Sequence, residues 1–401
     1  MQRRVVVTGL GIVSAIGDNV DETIQSLFGS KSGVSKITIL KTALSETHPA
    51  AEVKKTNEEL RIAAALPGGY YSRTTLFGMI AAKQALSSSK IEDVRSLRTG
   101  FISATSVGGM DRTEIFYDEF LKDNSRGHLH DVITHDCGES TEAIAAELGI
   151  KDFVDTISTA CSSSANSIMI GAKMIRQGLL DRVVAGGTDA LSRFTLNGFN
   201  SLMILDRQPC QPFDENRRGL NMGEGAGYIV LEAHDNPGVD GKEIFGELTG
   251  YANTNDAYHQ TASSPDAKGA VMAMTQTMQM AKISPAEIDY INAHGTGTPN
   301  NDLTEETAIS KIFGQEIPPF SSTKAFTGHT LAAAGGIEAV LSLLSIKHNL
   351  IFPNLRYEMK MKEFEFSPTT ELKKQKLNHV MSNSFGFGGN NSSLLFSRWQ
   401  K

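Results

Sequence analysis

The chain has 401 residues, 40% hydrophobic and 21% charged, with 37 Gly and 12 Pro. Such a balance describes a globular protein of two or three domain-sized units and excludes disordered, collagen-like and disulfide-scaffold classes. The formal net charge of -7, from 38 Lys+Arg against 45 Asp+Glu, argues against a nucleic-acid partner, because phosphate binding needs a concentrated basic surface. A local basic patch that docks a small acidic protein remains compatible with it.

Three cysteines, Cys137, Cys161 and Cys210, are an odd and low count that favours a reducing compartment. The start Met1-Gln2-Arg3-Arg4-Val5-Val6-Val7 imitates a signal peptide, but Thr8, Gly9 and Gly11 cut the apolar run short and Asp18 follows where a cleavage site would stand. Val5–Thr8 is therefore expected as a buried first strand. Leu331–Ile346 is broken by Glu338, so no apolar run reaches the ~18 residues of a membrane span. A cytoplasmic protein without a membrane span is expected.

Polar residues with Pro49 and Pro67-Gly68-Gly69 mark 41–70 as an insertion. Beyond it, β-rich runs at Thr99–Ala104, Val183–Ala185, Ile229–Leu231 and Ile288–Asn292 alternate with helical patterns at Leu76–Leu86, Thr141–Leu148, Ile168–Gln177 and Lys268–Ala281. This alternation predicts an α/β architecture with covered sheets. The turn-rich Asn236-Pro237-Gly238-Val239-Asp240-Gly241 divides the chain into a longer part, 1–240, and a shorter one, 241–401.

Cys161 stands in Ser158-Thr159-Ala160-Cys161-Ser162-Ser163-Ser164-Ala165-Asn166, between a strand and a helix. The N–H groups of a first helical turn favour thiolate over thiol there. A small buried cysteine in a tight turn fits the same pattern. Further on, His294 follows a buried strand in Asn292-Ala293-His294-Gly295-Thr296-Gly297-Thr298-Pro299, whose small residues admit a ligand to the backbone. Such a histidine also serves merely to hold its own loop. Lys324 and His329 lie in Ser321-Ser322-Thr323-Lys324-Ala325-Phe326-Thr327-Gly328-His329-Thr330, with a helix expected from near His329 through Ala332–Leu344. Asp302 and Glu305 follow His294, and Glu338 interrupts the apolar helix, where burial would require a partner. Asn383-Ser384-Phe385-Gly386-Phe387-Gly388-Gly389-Asn390-Asn391 combines mobile glycines with large rings and suits either a gate or a simple turn.

Taken together, Thr159-Ala160-Cys161, His294 to Pro299, Lys324 with Gly328-His329, and Phe385 to Asn390 resemble the β-ketoacyl-[acyl-carrier-protein] synthases, in the family's order and spacing. The similarity is to the elongating Cys-His-His branch of the thiolase-like superfamily. Thr8-Gly9-Leu10-Gly11, Ala185-Gly186-Gly187, Phe213-Asp214 and Gly223-Glu224-Gly225-Ala226-Gly227 extend the resemblance over nearly the whole chain. It implies a thiolase-like fold of two similar α-β-α-β-α layered halves in a homodimer, with the nucleophile in 1–240 and the histidines and gating loop in 241–401.

The resemblance also implies an acyltransferase. Cys161 would take an acyl chain from an acyl carrier protein, with the N–H groups of Cys161 and Phe387 as oxyanion donors. His294 and His329 would stabilise the enolate formed as a malonyl thioester loses carbon dioxide, with Lys324 near His329. Thr296 and Thr298 would bind the phosphopantetheine arm, Phe385 and Phe387 would line and gate the malonyl side, and Val107 and Phe199 would line the acyl pocket. A wall of Val107 rather than a bulkier residue favours longer chains. Asp302, Glu305 and Glu338 would stand behind the site in structural or ion-binding roles. No cofactor and no catalytic metal belong to the chain itself, since the carrier protein delivers the phosphopantetheine.

Gly127-His128-Leu129-His130-Asp131-Val132-Ile133-Thr134-His135-Asp136-Cys137 departs from the resemblance, which implies an apolar, Pro-containing stretch here. The spacing of His128, His130, His135 and Cys137 fits no common zinc site, so an altered acyl preference or dimer contact is expected. Fatty-acid elongation is the default, with polyketide or polyene extension as competitor. Asn390-Asn391 also replaces the implied Thr-Asn. Three rival classes fit less well. A non-catalytic chain-length-factor-like subunit would have lost Cys161, and a thiolase would carry a second cysteine in place of the histidine pair. A dinucleotide-binding enzyme would complete the glycine fingerprint that Ser14 interrupts after Gly9 and Gly11.

Overall fold

The computed structural model describes residues 3–400. The first half contains β1 (Val5–Ser14), α1 (Val20–Phe28), α2 (Asn57–Ala63), α3 (Arg73–Ser88), β2 (Thr99–Ala104), α4 (Met110–Lys122), α5 (His130–Ile133), α6 (Cys137–Leu148), β3 (Phe153–Ile157), α7 (Ser163–Arg176), β4 (Arg182–Asp189), α8 (Arg193–Ser201) and β5 (Gly225–Ala233). The second contains β6 (Gly246–Asn255), α9 (Lys268–Ala281), β7 (Tyr290–Asn292), α10 (Pro299–Phe313), β8 (Phe320–Ser321), α11 (Lys324–Thr327), α12 (Ala334–His348), β9 (Leu350–Ile351), β10 (Lys373–Lys374), β11 (His379–Gly386) and β12 (Asn390–Ser397).

The strand order β3-β2-β4-β5-β1-β6-β12-β11-β7-β8 reads as two mirror-ordered sheets of five joined at β1 and β6. Each sheet has the same pairing. Its first strand runs antiparallel to its last, its last antiparallel to its fourth, and its second parallel to both the fourth and the third. The join is narrow, Val6 opposite Glu247 and Val7 opposite Gly246. This duplication left no mark in hydrophobic periodicity, because it lives in the pairing and not in the residue pattern.

Helix α3 covers the outer face of the first sheet, α9 that of the second, and α7 with α12 fill the layer between them. The five layers α-β-α-β-α thus run through both halves together. A middle layer has no wet face, so α12 is buried without interruption from Ala334 to Ile346. The run Leu331–His348 is long and apolar enough to cross a membrane, yet 89% of it is buried inside the protein, as a core helix is.

Two glycine motifs are explained by close approach of helix to strand. A Cβ on Gly11 would lie 1.9 Å from the Ala81 carbonyl oxygen, so Gly9-Leu10-Gly11 lets α3 rest on the backbone of β1. A Cβ on Gly227 would meet the Ile337 nitrogen at 2.4 Å, which seats α12 on β5. The strand therefore includes Gly225-Ala226-Gly227, which the sequence placed ahead of it.

The helix expected from near His329 starts later, at Ala334. Gly328 at φ +64° and Leu331 at φ +52° break the backbone first, and a short 3₁₀ turn over Leu331–Ala333 follows. His329 thus sits on a bent segment that pairs with Met222. The stretch 41–70 carries α2, closed by a capping box of Thr56 and Glu59. The departing segment 127–137 packs on the loop after β2, where the Gly109 N–H donates to the Thr134 carbonyl at 2.7 Å. Within it, His135 Nδ1 lies 3.1 Å from Thr113 Oγ1 and His130 packs edge-on against Tyr70.

Candidate active site

Strand β3 ends at Ile157 and α7 begins at Ser163, which leaves Cys161 at the helix entry. Ala160 takes the left-handed conformation, φ +54°, to turn the thiol inward. Burial pushes the Cys161 thiol up to about 11, against the backbone N–H groups of Phe387 and Cys161 and the charge of Lys324. The helix entry alone favours thiolate, but here desolvation outweighs it and the resting group is a thiol.

Cys161 Sγ lies 3.1 Å from His329 Nε2. The other ring nitrogen, Nδ1, accepts the Leu331 N–H at 3.2 Å. A backbone N–H only donates, so Nδ1 carries the lone pair and the proton sits on Nε2. His294 is arranged likewise. Its Nδ1 faces Lys324 Nζ at 3.2 Å, and Nζ also pairs with Glu338 Oε1. Lys324, expected beside His329, thus holds His294. Burial, followed by the Lys324 charge, lowers both imidazoles well below the ordinary histidine value, so both are neutral. The rings meet edge to face at 5.4 Å.

Sγ and one nitrogen of each imidazole lie within 4.8 Å of one another, a cluster with the composition of a metal site. Its outer contacts oppose that use. Ligating histidines donate their second N–H to an acceptor, whereas here Nδ1 of both rings receives a donor. The two Nε2–H groups are built to hydrogen-bond, not to ligate.

Two carboxylates fix the loop after β7. Glu305 accepts the N–H groups of His294 at 2.9 Å and Gly295 at 2.8 Å, and Asn383 Nδ2 at 3.1 Å. Asp302 accepts those of Thr296 at 2.9 Å and Phe213 at 2.7 Å. Thr296 and Thr298 face each other with hydroxyl oxygens 2.8 Å apart. Burial raises Glu305 and Glu338 to about 7.

Glu306, beside them, is raised to about 9 by burial and then by Asp302. A carboxyl raised in the folded state stabilises below its unfolded pKa, and that contribution is lost as pH climbs toward the folded value. Across pH 4.5 to about 9 this group therefore works against the fold. Glu306→Gln is expected to lie within ~1 kcal/mol of the parent at pH 5 and to exceed it by ~4 kcal/mol at pH 8, measured by urea unfolding at both pH values.

Two cavities meet at Cys161. One of about 220 Å³ is lined by His294, Thr296, Thr298, His329 and Phe385 with Asn300 and Asn301 at its polar edge. The other, about 440 Å³, is walled mainly by Val107, Phe194, Phe199, Leu202 and Leu331. Cys161, Phe199 and Phe387 border both. Phe199 and Phe387 stack at 5.8 Å and 14°, forming the partition between them. Phe387 is carried between β11 and β12, where Gly388 and Gly389 take φ of +78° and +75°. The structure brings together every site residue expected from the sequence.

Asn390 and Asp189 had no site reading from the sequence. Asn390 Oδ1 accepts Ser162 Oγ at 2.7 Å and Asn253 Nδ2 at 2.6 Å, tying the Phe387 loop to the entry of α7. The departure at Asn390-Asn391 therefore falls on a structural tether. Asp189 closes the Ala185-Gly186-Gly187 strand, but no residue pattern announces its partners.

A cysteine at a helix entry, facing two neutral imidazole donors across a five-layer α/β fold, defines a thiolase-like condensing enzyme. Residues 2–236 match the family described as "Beta-ketoacyl synthase, N-terminal domain" and residues 245–358 "Beta-ketoacyl synthase, C-terminal domain". The chain belongs to the β-ketoacyl synthase family. It is 34% identical to 3-oxoacyl-[acyl-carrier-protein] synthase 2 of Staphylococcus aureus (strain N315), covering 99% of each chain. Among solved structures, it is similar to the ishigamide ketosynthase/chain length factor, with 28% identity, a TM-score of 0.93 and 100% of both chains covered. It is also similar to a type II polyketide synthase acyl-carrier protein in complex with its ketosynthase bound to the hexaketide, with 27% identity, a TM-score of 0.87 and 100% of both chains covered.

Proposed function

We propose that this condensing enzyme is an elongating 3-oxoacyl-[acyl-carrier-protein] synthase that uses Cys161 as acyl carrier. The observation that carries the reading is the position of Cys161 where a cavity bearing His294, His329, Thr296 and Thr298 meets a second, more strongly apolar one. The first takes the phosphopantetheine arm along Thr296 and Thr298, and the second takes the acyl chain along Val107 and Phe199.

Cys161 loses its proton as its sulfur attacks the thioester carbonyl. The oxyanion rests on the N–H groups of Cys161 and Phe387, and the pantetheine sulfur leaves as the thiol. A malonyl thioester then occupies the histidine side. Its C–C bond to the carboxylate breaks, carbon dioxide departs, and the electron pair moves onto the thioester as an enolate. The Nε2–H groups of His294 and His329 stabilise that charge, and their proton positions are already fixed by Lys324 and Leu331. The enolate carbon attacks the acyl carbonyl, and the bond between the acyl carbon and Cys161 Sγ breaks. The sulfur leaves as a thiolate that takes a proton from water to return to the resting thiol, and a 3-oxoacyl thioester leaves. Phe387 gates the two steps, and Phe385 packs beside His294 with ring centroids 6.2 Å apart. Asp302, Glu305 and Glu338 hold the loops; the buried Glu338 Oε2 and Ser384 Oγ, without partners among the described residues, suit the structural or ion-binding role.

We assign the nucleophile to the half 1–240 and the histidines and gate to 241–401. The acyl carrier protein is the delivering partner, a homodimer the working assembly, and the cytoplasm the compartment. A heterologous partner subunit is the second reading, favoured by the similarity to a ketosynthase/chain length factor structure. The intact Cys161, His294, Lys324 and His329 set speaks against a non-catalytic subunit.

The test is incubation with a panel of acyl-carrier-protein thioesters of different chain length and unsaturation, with the mass of Cys161-containing peptides as readout. Acyl adducts confined to Cys161 are expected, with longer chains preferred because the wall is Val107. A chain that loads none of them, alone or with its partner subunit, would overturn the reading.

A further inference from the structure

The turn that fixes His329 and the loop that walls the apolar cavity share one buried carboxylate. Asp189 Oδ2 accepts the Ala332 N–H at 2.8 Å and Ser106 Oγ at 2.7 Å. Its Oδ1 accepts Thr105 Oγ1 at 2.5 Å, the Ser106 N–H at 3.1 Å and the Val107 N–H at 3.3 Å. Every partner is a donor, and the residue is fully buried. On one side, Ser106 and Val107 line the apolar cavity. On the other, Ala332 follows Leu331, whose N–H holds His329 Nδ1 and whose side chain lines the same cavity.

We propose that Asp189 is a positioning residue that ties the acyl-pocket wall to the His329 turn and so keeps the Nε2–H of His329 aimed at the reacting thioester. The 127–137 segment joins the same chain of contacts, because the Gly109 N–H that anchors it lies just beyond Val107. A change in that segment reaches His329 through the loop and Asp189. This inference rests on the roles proposed for Cys161 and His329.

The chemistry of the site makes the amide an informative substitution. Each carboxylate oxygen faces at least one backbone N–H, which cannot reverse its role. Asp189→Asn therefore sets an NH2 group against a backbone donor in either orientation while preserving volume. Its expected signature is loading of Cys161 within about threefold of the parent and condensation slowed at least tenfold, in kcat and not in KM for the malonyl thioester. Nitrogen NMR of labelled histidine should also show His329 losing its single Nε2–H tautomer, a change that general destabilisation would not produce in a folded sample. Ser106→Ala removes one hydroxyl but leaves the Ala332 link, and serves as a second variant if Asp189→Asn fails to fold. It should give a smaller change of the same kind, a shifted His329 nitrogen signal and a condensation rate between those of the parent and Asp189→Asn.

Condensation by Asp189→Asn at the parental rate, or an unaltered His329 signal with slowed condensation, would overturn the inference and leave the proposed function standing. If only Ser106→Ala folds, an unaltered His329 signal with a parental condensation rate would overturn it. Failure of the parent itself to load Cys161 would instead overturn the function on which the inference rests.

Discussion

Cys161→Ala is expected to abolish condensation, a loss of at least ~10³-fold, while slow decarboxylation of a malonyl thioester persists. The division of labour in the site is the reason. In the proposed mechanism, removing Sγ eliminates the atom that would carry the acyl group between the two cavities. The two imidazole donors keep their orientation, because Leu331 and the Lys324–Glu338 pair set them independently of the cysteine. The alanine fits the space, so the variant should fold. Release of carbon dioxide and formation of the 3-oxoacyl thioester can be followed separately, and undiminished product formation would sink the assignment.

The second large effect concerns the histidines. His294→Ala and His329→Ala should each retain an acyl adduct on Cys161 in a trapped mass spectrum and lose ~10²- to 10³-fold in condensation. Removing one donor leaves enolate charge uncompensated in a buried site, whereas the first transfer uses backbone donors that neither substitution touches. His329→Ala also removes the group beside Sγ, at 3.1 Å, so it should slow loading more than His294→Ala does. An inability to acylate in either variant would count against the division of roles.

Much of this site was legible in the residues because its pieces are local. Cys161 at a helix entry, His294 after a strand and Phe387 among glycines each announce themselves within a few positions. Elements with distinctive periodicity were equally readable, as Thr99–Ala104 and Lys268–Ala281 show with their observed bounds. What escaped depends on pairing across the chain. Helix α4 has no fully buried member, because Ile115, Tyr117, Phe120 and Leu121 stay exposed and the core gives it no face to match. Strand β6 alternates between buried and partly covered positions, yet polar Asn253, Thr254 and Asn255 blur its pattern. Asp189 is invisible for the same reason, since its partners come from 105–107 and 332. The helix entry of Cys161 suggested an acidic thiol, and only the depth of burial reverses that expectation.

The strand β12 lies between β6 and β11, inside the second sheet, although it is the last strand in chain order among the described residues. During synthesis that slot must stay open, with the edges of β6 and β11 unpaired, until Asn390–Ser397 has left the ribosome. The same insertion brings Asn390 onto Ser162 and completes the gate beside Cys161. A chain in which β12 has not inserted therefore lacks the Asn390 tether between the Phe387 loop and the helix entry beside Cys161. Closing the second sheet and assembling the wall beside the thiol are one and the same contact.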